Sequence, residues 1–330
     1  MATKQSERIG DTRWLPYSLA DRARIQESGA LDYREPVPRP PNPTGFHIED
    51  LKGNPILSSD IIVPRTDPRG NVSARYFESW KKAKDSRIGI ASNTYSIKGF
   101  GPVACLSDLE RRVLSYLEMC PFVVEIRSQY PEWDRIKVGK RRAANTGIPK
   151  SGVMTIDFVV TYQIPGSREL RYHAISCKPY DQIFEDEVVG RHQREIALLS
   201  IWNCTHQIMT EHSITDIQDR NNQRFMQLML HTENVYSCAE NAMKLANRLN
   251  KVSIQGDYDF VLAVIGDEYG WDLNTSYKYF GVAIFLGYLK YDHSKEFLPE
   301  SEVLDLTDER RQLLPRLQYS TLPTSAYATA

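Results

Sequence analysis

Residues 153–162 read Val153-Met154-Thr155-Ile156-Asp157-Phe158-Val159-Val160-Thr161-Tyr162, an almost unbroken apolar and β-branched run interrupted by one carboxylate. Such residues favour the pleated backbone, and apolar side chains on both of its faces mark a strand covered from both sides. Two-residue alternation puts Met154, Ile156, Phe158 and Val160 on one face, and Val153, Asp157 and Val159 on the other. Aspartate is depleted in strands. Asp157 therefore has a specific partner, pairs with an arginine, or ends the strand.

Outward from this run the pattern repeats. Val123–Gln129 and Leu170–Lys178 are two more β-like stretches, the latter joined to the first run by the turn Ile164-Pro165-Gly166-Ser167. Leu106–Met119 has helical periodicity, with Ser107 or Asp108 as cap. Its Leu106, Leu109, Val113, Leu114 and Leu117 share one face, and Arg111, Arg112 and Ser115 fall on the wet side. A second helix runs from about Glu185 to Asn203. The order α-β-β-β-α predicts an α/β core, a sheet with a helix covering each side.

The flanks differ in texture. Nine of the 18 prolines precede residue 75, with a dense run at Pro36, Pro38, Pro40, Pro41 and Pro43. Proline fixes φ and lacks a donor, which predicts an extended arm outside the packed core. After Ile208 the chain turns mostly helical. Two helical patterns within Asp257–Tyr291 are separated near Gly270, and a hairpin-like Tyr291–Phe297 follows, which suggests a winged helix. The expected division is an arm at 1–75, an α/β catalytic domain at 76–207, a winged-helix-like partner-binding domain at 208–317 and a small polar tail at 318–330.

Bulk properties exclude several classes. The 330 residues suffice for two compact domains. A net charge of −1 leaves nucleic-acid binding to the local distribution of charge. The five cysteines are scattered without a CxxC pair, which argues against a disulfide framework or zinc knuckle and suits a reducing cytoplasm. No stretch approaches the roughly 18 apolar residues of a membrane span. There is no HExxH, Gly99-Phe100-Gly101 is a lone GxG, and no GxxxxGK[ST] occurs, so neither zinc hydrolysis nor ATP hydrolysis is expected.

Three residues stand out chemically. Glu110 falls within the apolar arc of its helix, where a carboxylate costs several kcal/mol unless paired or bound to metal. It either reaches water at the rim, pairs with a buried lysine, or holds a cation. Asp157 is the one carboxylate in the apolar run at 153–162. Lys178 ends the third run, and Pro179 stops the ladder, placing Lys178 at a strand end beside a cleft or in plain solvent. A helix Glu, a mid-strand Asp and a strand-end Lys, in this order, suit phosphodiester hydrolysis. Carboxylates are the hard oxygen ligands that Mg²⁺ prefers, and a lysine beside it can offset developing charge. Between the first two strands, Arg135, Lys137, Lys140, Arg141, Arg142 and Lys150 occur with no acid among them, either a solvated loop or a phosphate-binding excursion. Asp257–Glu300 has the opposite balance, eight acids against Lys278, Lys290 and Lys295, which favours a protein partner.

The segments Asp108-Leu109-Glu110-Arg111, Thr155–Val160 and Ala174-Ile175-Ser176-Cys177-Lys178-Pro179 resemble the three catalytic blocks of the TnsA endonucleases, and Phe122–Gln129 resembles that family's strand after the first helix. Arg194-Glu195 and Ile208-Met209-Thr210-Glu211 match its usual layout. The likeness covers about residues 85–210 well and the C-terminal half loosely. It implies a restriction-endonuclease-like fold and an enzyme that cuts the 5′ strand at transposon ends in cut-and-paste transposition. It further implies two Mg²⁺ ions (Mn²⁺ as substitute) held by Glu110, Asp157 and the Cys177 carbonyl, with Lys178 as catalytic lysine. The implied partners are double-stranded DNA at the transposon ends, a TnsB-like transposase subunit and a TnsC-like AAA+ regulator. Ser176 departs from the family, whose relatives often carry an acid or Gln there. Either one metal site is looser, or another acid such as Glu195 substitutes, or Glu195 makes an ordinary helix salt bridge. The departure also leaves open a non-catalytic assembly factor bridging transposase and regulator, and the core alone would suit a stand-alone restriction or repair nuclease.

Overall fold

The computed structural model describes residues 37–56, 61–86, 90–133, 140, 143–144, 153–251 and 256–300. It is a mixed α/β protein. A hairpin comes first, β1 (Ser92–Ser96) pairing antiparallel with β2 (Gly101–Cys105). Its turn is the Gly99-Phe100-Gly101 loop, where Phe100 has φ 56°. Helix α1 (Asp108–Met119) follows, then β3 (Val123–Glu132), β4 (Met154–Gln163), β5 (Leu170–Cys177), α2 (Asp186–Ser200) and β6 (Thr205–Met209). These four strands form one sheet in the order β3-β4-β5-β6, antiparallel except for the β5–β6 pair, which α2 connects. A parallel neighbour requires a crossover of that length.

The three strands and two helices expected from alternation and periodicity are all present. On one side, Leu109, Val113, Leu114 and Leu117 of α1 pack with Ile126, Phe158, Val160, Ile175 and Met209. On the other, Leu199 and Trp202 pack with Tyr130, Ile156, Val159 and Ala174. The face expected to be wet is not. Arg112 and Ser115 are 3% and 4% exposed, because the segment leading into α3 (Asp216–Leu228) covers them. Arg112 donates to the Ile214 carbonyl and pairs with Asp216, while Arg111 and Ser115 both reach Asp219.

The proline-rich segment, in its described part, is no detached arm. Both β3 and β6 are sheet edges, whose unpaired groups need cover. Along β6, the Thr44 hydroxyl donates to the His206 carbonyl and the Ile48 N–H to Gln207, burying Ile48. Along β3, Tyr130 donates to Asp67, Arg127 to the Val72 carbonyl, and Arg69 pairs with Glu132. Prolines cannot join a ladder, so the segment docks through side chains and scattered amides. Residues 1–36 lie outside the described residues.

The expected boundary at 207/208 falls inside β6. One compact unit runs to Met226 and includes His293–Glu296; the other comprises Gln227–Asp292 and the residues from Phe297 on. In the second unit, α4 (Ala239–Lys251), α5 (Tyr258–Tyr269) and α6 (Leu273–Phe285) pack around Leu245, Leu249, Val261, Leu262, Ile265, Phe280 and Val282. Gly270 ends α5 in the left-handed conformation, and the Asp257 and Asp272 side chains cap α5 and α6. The hairpin expected at Tyr291–Phe297 is absent, since that stretch is turn and irregular backbone with no strand partner. The tail at 318–330 lies outside the described residues. Among the described residues, no helix is long and apolar enough to cross a membrane.

Candidate active site

Glu110 sits in the first turn of α1, 6% exposed. Ser107 caps that helix by accepting the Glu110 N–H, and the carboxylate reaches back to the Leu106 N–H (2.9 Å) and the Ser107 hydroxyl (3.3 Å). This is a variant of the capping box, whose S-x-x-E signature is visible at 107–110 and offers a role for Glu110 that the helical arc alone did not suggest. A further donor comes from the sheet, where the Gln129 amide lies 3.1 Å from Glu110 Oε2.

Asp157 lies where the sheet opens. The β4–β5 ladder runs from Gln163↔Leu170 to Phe158↔Ile175 and stops, while β4 stays paired with β3 as far as Met154. Past the opening, the Asp157 carboxylate replaces the ladder by accepting the Cys177 N–H at 2.7 Å. Strict alternation fails at the same place. Phe158 and Val160 belong to the α1 side, as expected of a pair, but Ile156 packs with Val159 on the α2 side. On the neighbouring strand Ile126 faces α1 and Tyr130 faces α2, and between them Gln129 takes a left-handed φ of 48°. Both strands thus change phase at Gln129 and Asp157. Asp157 consequently acts electrostatically on groups from both sides, Glu110 and Cys105 on one and Arg191 and Glu195 on the other.

Burial, and then the charge of Asp157, push the Glu110 carboxyl up to about 8, against the pull of its three donors. Asp157 is itself raised by burial, with Lys178 the strongest opposing influence. Two buried carboxyls with raised proton affinity, one of them raised further by the other's charge, are a site that a cation relieves. Lys178 follows β5, half-buried, its N–H donated to the Met209 carbonyl. The Cys177 thiol is raised well above its ordinary value by burial and then by Asp157, so it stays protonated. What its position contributes is backbone.

Ser176 points to the α2 side. Its hydroxyl donates to Glu195 Oε2 at 2.7 Å, and His206 Nε2 lies 3.1 Å from the same oxygen and 3.2 Å from Ser176 Oγ. Arg191, one turn before Glu195 on α2, holds its other oxygen at 2.8 Å and the Thr155 carbonyl at 2.8 Å. Burial opposes ionisation of Glu195, but His206 and Arg191 outweigh it and bring the carboxyl down to about 2. Glu195 is thus delivered beside Ser176 from α2. Arg194, next to Glu195 in sequence, is exposed; Arg191 is the pairing residue. The i,i+4 spacing of Arg191 and Glu195 is legible in sequence, whereas His206 arrives through parallel pairing of β5 with β6 and leaves no local signal.

Of the basic excursion, Lys140 is exposed, and Lys137, Arg141, Arg142 and Lys150 lie outside the described residues. Among the described residues, no three His, Cys, Asp or Glu side chains are grouped so as to hold a metal ion. A cation at Glu110 and Asp157 would need its remaining ligands from main chain, water or substrate.

Gln129 makes a sharp prediction. A left-handed backbone costs a non-glycine residue about 1–2 kcal/mol, whereas at an ordinary strand position glycine is worse than alanine by about 0.5–1 kcal/mol. Gln129→Gly should therefore be more stable than Gln129→Ala by about 1 kcal/mol, measured by urea unfolding. The reverse order would mean that the phase change does not depend on this residue's backbone.

A comparison with protein-family models finds no match for this chain and a comparison with curated proteins finds none, which leaves the geometry of Glu110, Asp157, Lys178 and Glu195 as the ground for a functional reading.

Proposed function

We propose that this chain is a Mg²⁺-dependent DNA endonuclease with a restriction-endonuclease-like core, acting as the subunit of a heteromeric transposase that cuts the 5′ strand at transposon ends, as in the TnsA family it resembles. The observation that supports it most is that Asp157 raises the Glu110 carboxyl, the two being carried by elements far apart in sequence, with Lys178 acting on Asp157. The donor set suits a hard divalent cation: two carboxylates whose proton affinities are raised and thiols that stay protonated. Glu110 and Asp157 would hold the ion, with the Cys177 carbonyl as the third donor that the resemblance implies. A divalent ion bound there supplies a Lewis acid that activates water and offsets charge on the phosphate.

The protein's own groups divide the remaining work. Gln129 and the Leu106 N–H orient Glu110. The Cys177 N–H fixes Asp157. Lys178, at the opening of the sheet, would supply a positive charge to the scissile phosphate. Arg191 and His206 keep Glu195 ionised beside Ser176 as a third carboxylate at the site's edge. The acid-rich second unit suits a basic face on a partner subunit. The test is to incubate the full chain with transposon-end DNA, its partner transposase and Mg²⁺. A nick confined to the 5′ strand and abolished by EDTA is expected; intact strands, or cleavage of plain duplex by the chain alone, would count against the assignment.

A second reading, a non-cutting assembly factor, is favoured by one specific feature. Both Glu195 oxygens are already engaged, by Arg191, Ser176 and His206, and Glu110 serves as a helix cap. A protein of that kind binds no Mn²⁺ at Asp157.

A further inference from the structure

The segment 79–86 spans from β3 to the approach of α1, beside Glu110. The Ser79 and Ser128 hydroxyls are 2.7 Å apart, and the Trp80 N–H donates to the carbonyl of Gln129, the residue whose amide holds Glu110. At the other end, the Ser86 hydroxyl donates to the carbonyl of Leu106, whose N–H binds the Glu110 carboxylate. The segment is therefore anchored at two of the three residues that donate to Glu110, one on β3 and one just before α1.

What it carries between those anchors is cationic and aromatic. Residues 79–86 read Ser79-Trp80-Lys81-Lys82-Ala83-Lys84-Asp85-Ser86, three lysines against one acid. Lys81, Lys82 and Lys84 are exposed, and the Trp80 indole is 46% exposed although its backbone is pinned. Lys82 pairs with Glu78, itself 87% exposed, at 3.3 Å, a surface pair of small worth that a phosphate readily replaces. A fixed backbone presenting an indole among lysines is the combination that binds nucleic-acid strands: cations follow the phosphates, and the ring stacks on a base whatever its identity.

We propose that residues 79–86 form the track for the DNA strand that carries the scissile phosphate, with Lys81 and Lys84 on phosphates and Trp80 stacked on a base. This rests on the nuclease reading for the direction of the strand, towards Glu110 and Asp157. It differs from the basic excursion between β3 and β4, which lies elsewhere in the sequence. The strand is favoured over a protein partner because three lysines and a single indole offer charge for a polyanion and little apolar surface.

The test measures binding of the full chain to fluorescent transposon-end DNA with an unpaired terminus, by anisotropy over a range of salt. The Lys81→Glu/Lys84→Glu protein should bind more than about tenfold more weakly, with a salt slope lower by about two. Trp80→Ala should cost about five- to a hundredfold and change the slope little. A Lys52→Glu/Arg168→Glu protein matches the change in net charge at exposed positions of the same unit near the β4–β5 turn, at the far end of β4 from Asp157, and should bind like the wild type. Unchanged affinity in the Lys81/Lys84 variant, an equal loss in the control, or tighter binding of the wild type to RNA or an acidic peptide would overturn the track. Mn²⁺ titration of the same proteins separates this from the metal chemistry. DNA binding that depends on Lys81 and Lys84 in a protein that takes up no Mn²⁺ supports the track and counts against the nuclease reading.

Discussion

Replacing Asp157 by asparagine should abolish nicking and cut Mn²⁺ affinity by more than about 100-fold, beyond the ~10–100-fold typical of groups one shell away from a metal. Asparagine keeps an oxygen for the Cys177 N–H, so the opening between β4 and β5 should survive and the protein should stay folded. The loss would then be of charge rather than of structure. Without metal, a further effect has a fixed sign. Glu110 is raised in the folded state to about 8 from an unfolded value near 4.5. A raised carboxyl contributes stability that is complete below the unfolded value and disappears as pH rises through the folded one. Glu110's contribution to the stability of the metal-free protein should therefore be lost from about pH 4.5 to about pH 8. The opposite trend below pH 6.5 comes from His173 and His192, which burial lowers. The Asp157 variant keeps both histidines, so the comparison isolates the carboxyl. Because Asp157 supplies part of the rise, Asp157→Asn should lose less over that range. Thermal unfolding across pH measures this. Equal slopes in the two proteins would mean that the carboxylates do not feel each other.

Lys178→Met should separate cleavage from metal uptake. The methionine keeps an unbranched side chain and removes only the charge. Removal of a positioned donor to a developing negative charge costs about 10²–10³ in rate, and nicking should fall by about that much. Mn²⁺ binding should persist at alkaline pH, since Lys178 is not a ligand. At lower pH it should weaken, because Lys178 is the strongest influence holding Asp157 ionised against burial. Single-turnover nicking and Mn²⁺ titration of one preparation decide the matter. Equal losses in both would make Lys178 a structural residue of the site.

How far sequence carried this account depends on the kind of interaction. The three long strands and the two flanking helices were legible because each buries an apolar face whose period shows locally: Val123–Glu132, Met154–Gln163 and Leu170–Cys177 lie within a few residues of the expected runs. The hairpin β1–β2 and the strand β6 were not: each strand has five residues, β1 and β6 carry polar side chains such as Asn93, Thr94, His206 and Gln207, and β2 opens on Gly101-Pro102. On β6 such groups are satisfied by long-range partners, as when Gln207 meets His173 at 2.9 Å and the Ile48 N–H at 2.8 Å.

The same division holds at the site. Glu110, Asp157 and Lys178 were recognisable as residue types out of place. Strict alternation would have put Asp157 on the face away from α1. The change of phase at Gln129 (φ 48°) and Asp157 alters that, and it arises between two strands. Polar content likewise disguised the wet face of α1, whose Arg111 and Ser115 are satisfied by Asp219, about a hundred residues further on. The prolines of the arm predicted a segment that could not join a sheet, which is compatible with one that covers the sheet's edges.

The most direct measurement is anomalous diffraction from crystals of the full chain grown with Mn²⁺. If Glu110 and Asp157 hold the ion, an anomalous peak contacts both carboxylates, with Lys178 nearby and outside the coordination sphere. An anomalous map without a peak at those two carboxylates, in crystals where they are ordered, would contradict it.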